Sequence, residues 1–285
     1  HSLKKNVVRG YVTVSAYGGY SANSEFEFLT SSTMHFIPAS ISPFRFYFTQ
    51  PQDSVVSQLK NIGYETLALS AASQHCWNIG RAYQMLGFDR TVYEHNFTHP
   101  RADEIFYRIS DKTIFERIVD EVKQKRKKPL FIWATTLQNH GGYAREFKDG
   151  IKLESPRDKE AEHYLNMLHR SDTGFKKLLQ RLEKEKRHVV LLLFEDHFPH
   201  IESFATKLLG KPLSQLSTHE RNKLQSTPFV IWSNRPMRSE EVKEISLNYL
   251  SSKLMEVAGL PKSAIQKMLD EMRPTIPLIN GLGFK

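Results

Sequence analysis

Residues 189–197 read Val-Val-Leu-Leu-Leu-Phe-Glu-Asp-His, an apolar run that ends abruptly in two carboxylates and an imidazole. An apolar run without alternation is typical of a strand that is buried on both faces of a parallel sheet. Ligands of open α/β sheets bind at the carboxyl ends of such strands, so we expect Asp196 and His197 to lie where chemistry occurs. Adjacent oxygen and nitrogen ligands suit a divalent cation such as zinc or manganese. The alternative is a polar turn whose Asp-His pair has no function.

Helical and strand-like patterns alternate along the chain. This order predicts an α/β fold with a mainly parallel sheet and helices on both of its faces. No internal repeat or low-complexity linker divides the sequence, so we expect one domain over residues 1–285. The helix and strand candidates are 55–62 with 64–69, 114–122 with 130–135, and 175–182 with 189–194, followed by one more apolar run at 228–232.

The composition is that of a globular protein. With 285 residues, of which 40% are hydrophobic and 25% charged, the chain can bury a large core. No run of 18 or more apolar residues is present, so the sequence predicts no membrane-spanning helix. The only cysteine, Cys76, excludes an internal disulfide and a cysteine-built zinc site. The sequence begins at His1 without a signal-peptide pattern, so we expect a processed or excised piece of a longer protein.

The chain is basic, with a net charge of +9 and a pI near 9.4, which favours polyanionic partners. Its densest cationic cluster, 123–128, closes a helical pattern just before Pro129. Lysines in a last helical turn complement the helix dipole, so a solvated helix end explains this cluster. No zinc-finger spacing or RNA-binding aromatic motif is present, and we expect no nucleic-acid partner.

Three further segments carry candidate chemistry. In the first, Gly18 and Gly19 allow a tight turn before a helical pattern, which places Ser21 near a helix N-terminus. Free amides and the dipole stabilise an oxyanion or phosphate there. The alternative is a simple turn in which Ser21 or Ser24 caps the helix.

The second and third segments follow strand candidates. His140, in a glycine-containing loop after the 130–135 strand, could donate to a substrate oxygen, or it could be a surface histidine. Trp77 and Arg81 follow the 64–69 strand. Trp77 could stack on a ligand and Arg81 could hold a phosphate, but a tryptophan buried in a helix is the common alternative.

In combination these segments resemble the sulfatase and alkaline-phosphatase superfamily. The resemblance is greatest to the extracellular catalytic domains of lipoteichoic acid synthase and its phosphoglycerol transferase relatives. It covers nearly the whole chain with the motifs in the family's order. The matching segments are the nucleophile loop at 20–26, Cys76-Trp77-Asn78 with 86–89, Gln138-Asn139-His140, Glu195-Asp196-His197, and the closing stretch from 248–250 to 258–261.

The resemblance implies a metal-dependent phosphoglycerol transferase of the alkaline-phosphatase-like fold. Ser21 would attack phosphatidylglycerol and form a covalent phospho-serine. Asp196 and His197 would hold a divalent metal together with Ser21. Manganese is the expected ion, with magnesium or zinc as alternatives. His140, Trp77 and Arg81 would contact the substrate.

The resemblance also implies partners and a location. They are an anionic phospholipid donor, a glycerol-phosphate or glycan acceptor, and the membrane surface. We expect a monomer on the extracytoplasmic side of a bacterial cell membrane, acting in the synthesis or modification of a cell-envelope polymer.

Four departures from the family pattern are present. Serine replaces the usual threonine nucleophile, and Ile79 replaces an arginine, with Arg81 two residues on. Ser70 replaces a histidine, for which His75 is the only nearby substitute. The family's metal-binding glutamate precedes the nucleophile loop, but nothing before Ser21 is acidic. We therefore expect the 285 residues to lack the family's first strand and its upstream membrane segment, and to be nearly inactive alone.

Two alternatives remain open. One is a phosphoethanolamine transferase, phosphodiesterase or sulfatase on the same scaffold. A formylglycine sulfatase is disfavoured because Ser21 is not followed by that family's Pro-x-Arg pattern. The other is a non-catalytic domain that binds anionic headgroups.

Overall fold

A computed structural model describes residues 5–38, 41–98, 104–105, 107–143 and 146–284, with the backbone alone for 104–105. No helix in this part of the chain is long and apolar enough to cross a membrane. The α-helices are α1 (Ser21–Thr30), α2 (Pro43–Phe46), α3 (Val55–Asn61), α4 (Ile79–Leu86), α5 (Asp111–Lys123), α6 (Lys159–Leu182), α7 (Glu202–Leu209), α8 (Thr218–Lys223), α9 (Leu247–Ala258) and α10 (Ala264–Met272). Short 3₁₀ turns occupy Met34–Phe36, Cys76–Asn78, Glu94–Asn96 and Leu213–Gln215.

The strands fall into two main sheets and two small hairpins. The first main sheet has the order β7-β8-β1-β9 and the second has the order β3-β2-β6. The strands are β1 (Val7–Thr13), β2 (Glu65–Ser70), β3 (Arg90–Val92), β4 (Glu104–Ile105), β5 (Arg108–Ile109), β6 (Leu130–Thr135), β7 (Val190–Phe194), β8 (Ser226–Ser233), β9 (Glu240–Ser246), β10 (Ile279–Asn280) and β11 (Gly283–Phe284).

The pairing confirms the predicted α/β fold. β2 is parallel to both β3 and β6, as expected where helices lie between the strands in sequence. β1 is parallel to β9. β8 is antiparallel to both of its neighbours, β1 and β7. Helices α5 and α6 pack on one side through Phe115, Phe175 and Leu178, whereas α1 and α9 pack on the other.

Strand β1 is a central strand that the sequence analysis missed. Its apolar residues are interrupted by Arg9, Gly10 and Tyr11, so neither a continuous run nor a clean alternation announces it. Gly10 is required because a Cβ there would lie 1.8 Å from the carbonyl oxygen of Val242 in β9. The β1–β9 register shifts between Gly10 and Val12, which is the local irregularity that a strand glycine often marks.

Helix α1 lies in the core and is buried around almost its whole circumference. Even Glu27 is buried, and its carboxylate accepts hydrogen bonds from the Ser15 hydroxyl (2.7 Å) and the Met34 amide (2.8 Å). Burial raises the pKa of Glu27 from 4.5 to about 7, against the opposing effect of these hydrogen bonds. A helix held on every side gives its first residue, Ser21, a fixed position.

Strand β7 confirms the strand predicted from residues 189–194, but the expected burial on both faces is wrong for the described residues. Most of its side chains are half-buried, and Leu193 is 39% exposed. The physical reason is that β7 pairs with β8 along one edge only, and no described strand covers the other edge. β6 is likewise paired on one edge, with β2.

Candidate active site

Ser21 begins helix α1 at the end of a tight loop. Gly18, Gly19 and Tyr20 all have positive φ values, of 69°, 154° and 67°. The Gly18 amide donates to the Phe198 carbonyl (2.9 Å), and a Cβ on Gly18 would lie 2.7 Å from that of His200, so the loop lies directly against the segment after β7. The predicted helix N-terminus is confirmed. The capping alternative is wrong, because Tyr20 occupies the N-cap position and no side chain caps the helix.

The structure brings Ser21, Asp196 and His197 together, although Ser21 and His197 are 176 residues apart in sequence. The Ser21 hydroxyl lies 3.4 Å from Nε2 of His197, and that nitrogen lies 3.5 Å from Oδ2 of Asp196. The Ser24 hydroxyl, one turn along α1, donates to the Asp196 backbone carbonyl at 2.7 Å. The first turn of α1 is therefore fixed against the carboxyl end of β7.

The orientation of His197 suits a metal ligand. Its Nδ1 lies 2.8 Å from the Phe198 carbonyl oxygen, so we assign the ring proton to Nδ1. This tautomer leaves the Nε2 lone pair directed towards Ser21, and a carbonyl on the other ring nitrogen is the usual outer contact of a ligating histidine. A hydroxyl oxygen, a carboxylate oxygen and an imidazole nitrogen thus converge, and this donor set fits a divalent cation.

The donor set is nevertheless small. Among the described residues no group of three or more His, Cys, Asp or Glu side chains could hold a metal ion. Catalytic zinc sites commonly have three such protein ligands. Asp196 and His197 supply two, so the site is short of one acidic or nitrogen ligand within this part of the chain.

Two further carboxyl groups lie near the site, and sequence reasoning assigned neither a role. Glu25 is buried, and its Oε2 accepts hydrogen bonds from the Tyr83 hydroxyl (2.6 Å) and the Trp133 indole (3.0 Å). Burial raises the pKa of Glu25 to about 7, although those two hydrogen bonds oppose the shift. Burial and the neighbouring Asp196 likewise raise the pKa of Glu195 to about 7. Glu25 shares a helical face with Ala22, Phe28 and Leu29, and this spacing is the signal that could have indicated its burial.

Burial is the largest cause of the raised pKa values of two tyrosines near the site, and the charge of Asp196 adds to both. Burial raises the pKa of Tyr143 to about 12. The positive charge of Arg108 lowers this pKa, and the negative charge of Asp196 raises it. Burial also raises the pKa of Tyr164, with further contributions from Glu195, Tyr143 and Asp196. Several groups near Asp196 are thus harder to ionise than usual. A bound cation would offset the unfavourable negative charge in this environment.

Trp77 lies beside the nucleophile loop. Its ring centroid is 5.3 Å from that of Tyr20, and the Arg45 guanidinium lies 5.0 Å from the Trp77 ring centroid. The alternative of a tryptophan buried in a helix is wrong, because half-buried Trp77 sits in a 3₁₀ turn with a φ of 52°. A positive φ at a bulky residue is uncommon and is often found at functional sites. Sequence reasoning missed Arg45, since nothing in the sequence relates it to Trp77.

Arg81 and His140 are not joined to this group. In the described part of the chain, no hydrogen bond, ion pair or ring contact links either side chain to Ser21, Asp196 or His197. Arg81 is exposed on α4, and His140 is exposed in the loop after β6. The backbone carbonyls of His140 and Gly141 accept hydrogen bonds from the Arg108 guanidinium, which holds that loop in place.

A cavity of about 620 Å³ extends from the site into the molecule. Its polar end is formed by Ser21, Glu25, Thr135, Thr136 and Asp196, at the carboxyl ends of β6 and β7. The rest is lined mainly by apolar side chains of these two strands and of helices α5 and α6. A cavity of this size with a few polar groups at one end is typical of a ligand site.

Comparison with known proteins identifies relatives along most of the chain. The sulfatase family model matches residues 2–260. A Rhizobium meliloti (strain 1021) protein named for cyclic beta-1,2-glucan modification is 29% identical over 264 residues, which cover 88% of this chain and 40% of the relative. The chain therefore spans less than half the length of this curated relative.

Two solved structures share the fold. The Streptococcus pyogenes phosphoglycerol transferase GacH, in complex with sn-glycerol-1-phosphate, superposes with a TM-score of 0.77 at 21% identity, covering 95% of this chain and 70% of that one. The Listeria monocytogenes lipoteichoic acid synthase LtaP superposes with a TM-score of 0.70 at 16% identity, covering 90% of this chain and 64% of that one. The predicted resemblance is confirmed at the level of family and fold.

Proposed function

The chain belongs to the sulfatase family, and we propose that it transfers a phosphoglycerol group from an anionic phospholipid through a phospho-serine formed at Ser21. The observation that carries this proposal is the Ser21 hydroxyl at the start of α1, 3.4 Å from His197 Nε2 and beside Asp196. The family and the structural relatives support a phosphotransferase or hydrolase. The phosphoglycerol group and Ser21 as nucleophile are the specific parts of the proposal.

Transfer takes place in two displacements. The Ser21 oxygen forms a bond to phosphorus while the bond to the diacylglycerol oxygen breaks, and diacylglycerol leaves with the serine proton. The acceptor hydroxyl then attacks phosphorus, and Ser21 leaves and regains a proton. Free amides in the first turn of α1 stabilise the charge on the phosphoryl oxygens.

Ser21, Asp196 and His197 would hold a divalent cation, for which their oxygen and nitrogen donors are suited. Manganese is the proposed ion, with magnesium and zinc as alternatives. Such an ion, when bound, favours the alkoxide form of a serine and balances charge on phosphoryl oxygens. The chain's own residues then hold the serine on a rigid helix and keep His197 in the ligating tautomer.

The headgroup would bind beside Ser21. The Tyr20–Trp77 pair and the Arg45 guanidinium form a partly exposed surface next to the nucleophile, and arginine suits a phosphate oxygen. We keep Arg81 and His140 as proposed substrate contacts at a greater distance. The exposed His140 loop follows β6, whose carboxyl end lies at the polar end of the cavity.

The partners we propose are an anionic membrane lipid as donor and a glycan or glycerol phosphate as acceptor. The net charge of +9 favours an anionic membrane surface. A relative named for glucan modification supports a glycan acceptor. An extracytoplasmic site in a bacterial envelope is the location that the family resemblance implies. The protein would act as a monomer.

A non-catalytic headgroup-binding domain is the second candidate, favoured by the presence of only two charged or nitrogen metal ligands in the described residues. A binding domain needs a pocket and basic groups, but it has no need of a reactive Ser21. Covalent labelling of Ser21 therefore separates the two candidates.

The test uses the full-length natural protein with phosphatidylglycerol in vesicles. We expect mass spectrometry to find phosphoglycerol on the peptide that contains Ser21. Ser21→Ala should lose transfer by a factor of roughly 10³ or more, whereas Ser21→Thr, which keeps a hydroxyl, should retain activity. Normal turnover by Ser21→Ala would exclude Ser21 as the nucleophile.

A further inference from the structure

A polar cluster joins helices α5 and α6 to the loop that follows β6. At its centre the Ser171 hydroxyl of α6 donates a hydrogen bond to Oδ2 of Asp111, the first residue of α5, at 2.5 Å. This distance is typical of a charge-assisted hydrogen bond from a hydroxyl to a carboxylate. Asp111 is 3% exposed, and 60 residues separate it from Ser171 in sequence. The pair is therefore a buried tertiary contact.

The same hydroxyl accepts hydrogen bonds from two side-chain amides of the loop. Gln138 Nε2 and Asn139 Nδ2 donate to Ser171 Oγ at 3.0 Å and 2.9 Å. A serine hydroxyl has one proton to donate and two lone pairs to accept with. The bond to Asp111 and the two bonds from the loop therefore use the whole capacity of this one oxygen.

The Asp111 carboxylate sets the direction of these hydrogen bonds. An ionised carboxylate can only accept, so Ser171 must give its proton to Asp111. Two other acceptors, the Met167 carbonyl and Asn139 Oδ1, each lie 3.3 Å from Ser171 Oγ. Without the carboxylate, the hydroxyl proton would turn to one of these acceptors. The hydroxyl would then no longer present both lone pairs to the loop amides.

Gln138 is the buried anchor of the loop. It is 3% exposed, its Oε1 accepts from the Asp111 backbone amide, and its Nε2 also donates to the Met167 carbonyl, both at 3.2 Å. His140 follows two residues later and is exposed. A fixed anchor beside an exposed histidine determines where the imidazole can lie.

The packing of α5 on α6 does not depend on this cluster. The two helices already meet through Phe115, Phe175 and Leu178. A buried carboxylate costs free energy of desolvation, and apolar side chains of similar size would join two helices at least as well. The particular effect of a carboxylate at Asp111 is therefore on the loop and not on the helix pair.

We propose that Asp111, acting through Ser171, is a positioning residue for the loop 138–140. The loop in turn holds His140 in place for the substrate. This inference rests on one part of the proposed function, the contact of His140 with the substrate. The loop leaves the carboxyl end of β6, and Thr136 at its start lines the polar end of the cavity. Asp111 and Ser171 are not among the described residues that line the cavity, so both act indirectly.

Hydrogen exchange of the full-length natural protein measures the order of the loop without a ligand. Asp111→Ala should raise the exchange rate of the peptide 136–143 by about tenfold, the equivalent of one hydrogen bond. Ser171→Ala should have the same effect, and it covers the case in which Asp111→Ala does not fold. Ser171→Thr keeps the hydroxyl and should retain the wild-type rate. The matched control is Asp270→Ala, which removes a carboxylate bonded to the Ser252 hydroxyl at 2.8 Å and should leave this rate unchanged.

A double-mutant cycle on sn-glycerol-1-phosphate binding shows whether Asp111 acts through His140. Isothermal titration of the full-length protein should show binding weakened by about three- to tenfold in Asp111→Ala. In the His140→Ala background the same substitution should change the affinity by less than about twofold, because the side chain that it positions is absent. A purely structural role would give equal losses in the two backgrounds.

Three results would overturn the proposal. They are unchanged loop exchange in the Asp111 and Ser171 alanine variants, unchanged affinity in Asp111→Ala, and equal losses of affinity in the two backgrounds. Neither measurement involves turnover or a reaction at Ser21. A full-length protein that forms no phospho-serine would therefore contradict the proposed function and leave the positioning role of Asp111 standing.

Discussion

The Ser24 hydroxyl donates a 2.7 Å hydrogen bond to the backbone carbonyl of Asp196, and this contact joins the first turn of α1 to the end of β7. Ser21 lies three residues earlier on the same helix, 3.4 Å from His197. The distance between the proposed nucleophile and its neighbouring imidazole is therefore set by a contact that involves neither residue. This arrangement makes Ser24 a positioning residue.

We predict that Ser24→Ala in the full-length protein lowers transfer more than its stability cost explains. It leaves the Asp196 carbonyl without this donor, which costs about 1–2 kcal/mol of unfolding free energy. The control is Ser252→Ala, which removes a buried hydroxyl bonded to Asp270 at 2.8 Å, in α9. Urea unfolding should show comparable losses of stability in the two variants. Steady-state kinetics should show a loss of kcat in Ser24→Ala alone. Equal kcat values for both variants would contradict the positioning role.

Asp196→Ala should remove most of the bound divalent metal from the full-length protein. The substitution deletes one of the two charged or nitrogen ligands at the site, and the remaining imidazole and hydroxyl bind a cation weakly. Elemental analysis by mass spectrometry after dialysis measures the metal content. Glu271→Ala, at an exposed position on α10, is the control and should keep the wild-type content. Equal metal content in both variants would exclude Asp196 as a ligand.

Glu27 should make the protein less stable at pH 8 than at pH 5. Its pKa is raised from 4.5 in the unfolded chain to about 7 in the folded protein, so folding favours the protonated carboxyl. The stabilising contribution is complete below about pH 4.5 and is lost as the pH rises through 7. The loss is on the order of 3 kcal/mol at full ionisation.

Urea unfolding of Glu27→Gln across this range checks the assignment. The variant cannot ionise, so its unfolding free energy should fall less between pH 5 and 8 than that of the wild type. Glu271→Gln, at an exposed position, should keep the wild-type pH dependence. Identical pH profiles for wild type and Glu27→Gln would show that Glu27 is not the titrating group.

Arg45→Gln should weaken binding of sn-glycerol-1-phosphate to the full-length protein by about tenfold, which corresponds to one charge-assisted hydrogen bond. The guanidinium is exposed above Trp77, so the substitution should change the melting temperature little. Arg238→Gln, at another exposed arginine, removes the same net charge as a control. Isothermal titration measures both affinities, and an equal small loss in each would indicate a non-specific effect of charge.

His140→Ala should also weaken binding of glycerol phosphate without loss of stability. His140 is exposed and its carbonyl, not its ring, is held by Arg108, so removal of the ring leaves no cavity. We expect a stability change within about 0.5 kcal/mol. A large fall in melting temperature with unchanged affinity would assign His140 a structural role only.

The sequence was sufficient for the elements with simple local patterns. β7 could be predicted because Val189 to Phe194 is a continuous apolar run, and the start of α1 because glycines precede a helical pattern. β1 could not, because Arg9, Gly10 and Tyr11 interrupt it and its glycine is explained only by the approach of Val242. That approach is a property of the β1–β9 pairing, and no local pattern encodes it.

The candidate site was predictable to a different extent. The order of motifs led us to expect Ser21, Asp196 and His197 together, and the structure brings them together, although their roles stay predictions. The Arg45–Trp77 contact and the two hydrogen bonds to Glu25 were not predictable. Each joins segments distant in sequence, and hydrogen bonds such as Tyr83 to Glu25 depend on three-dimensional packing alone.

The position of β1 has a consequence for biosynthesis. β1 lies between β8 and β9, so Val8 pairs with Ile231 on one side and with Glu240 on the other. At a translation rate of about 5–20 residues per second, β1 waits on the order of 10 s or longer before either partner leaves the ribosome. During that time an apolar strand with two open edges is exposed, and contacts of such long sequence separation also form slowly. Nascent chains of this protein should therefore depend on a chaperone until β9 has been synthesised.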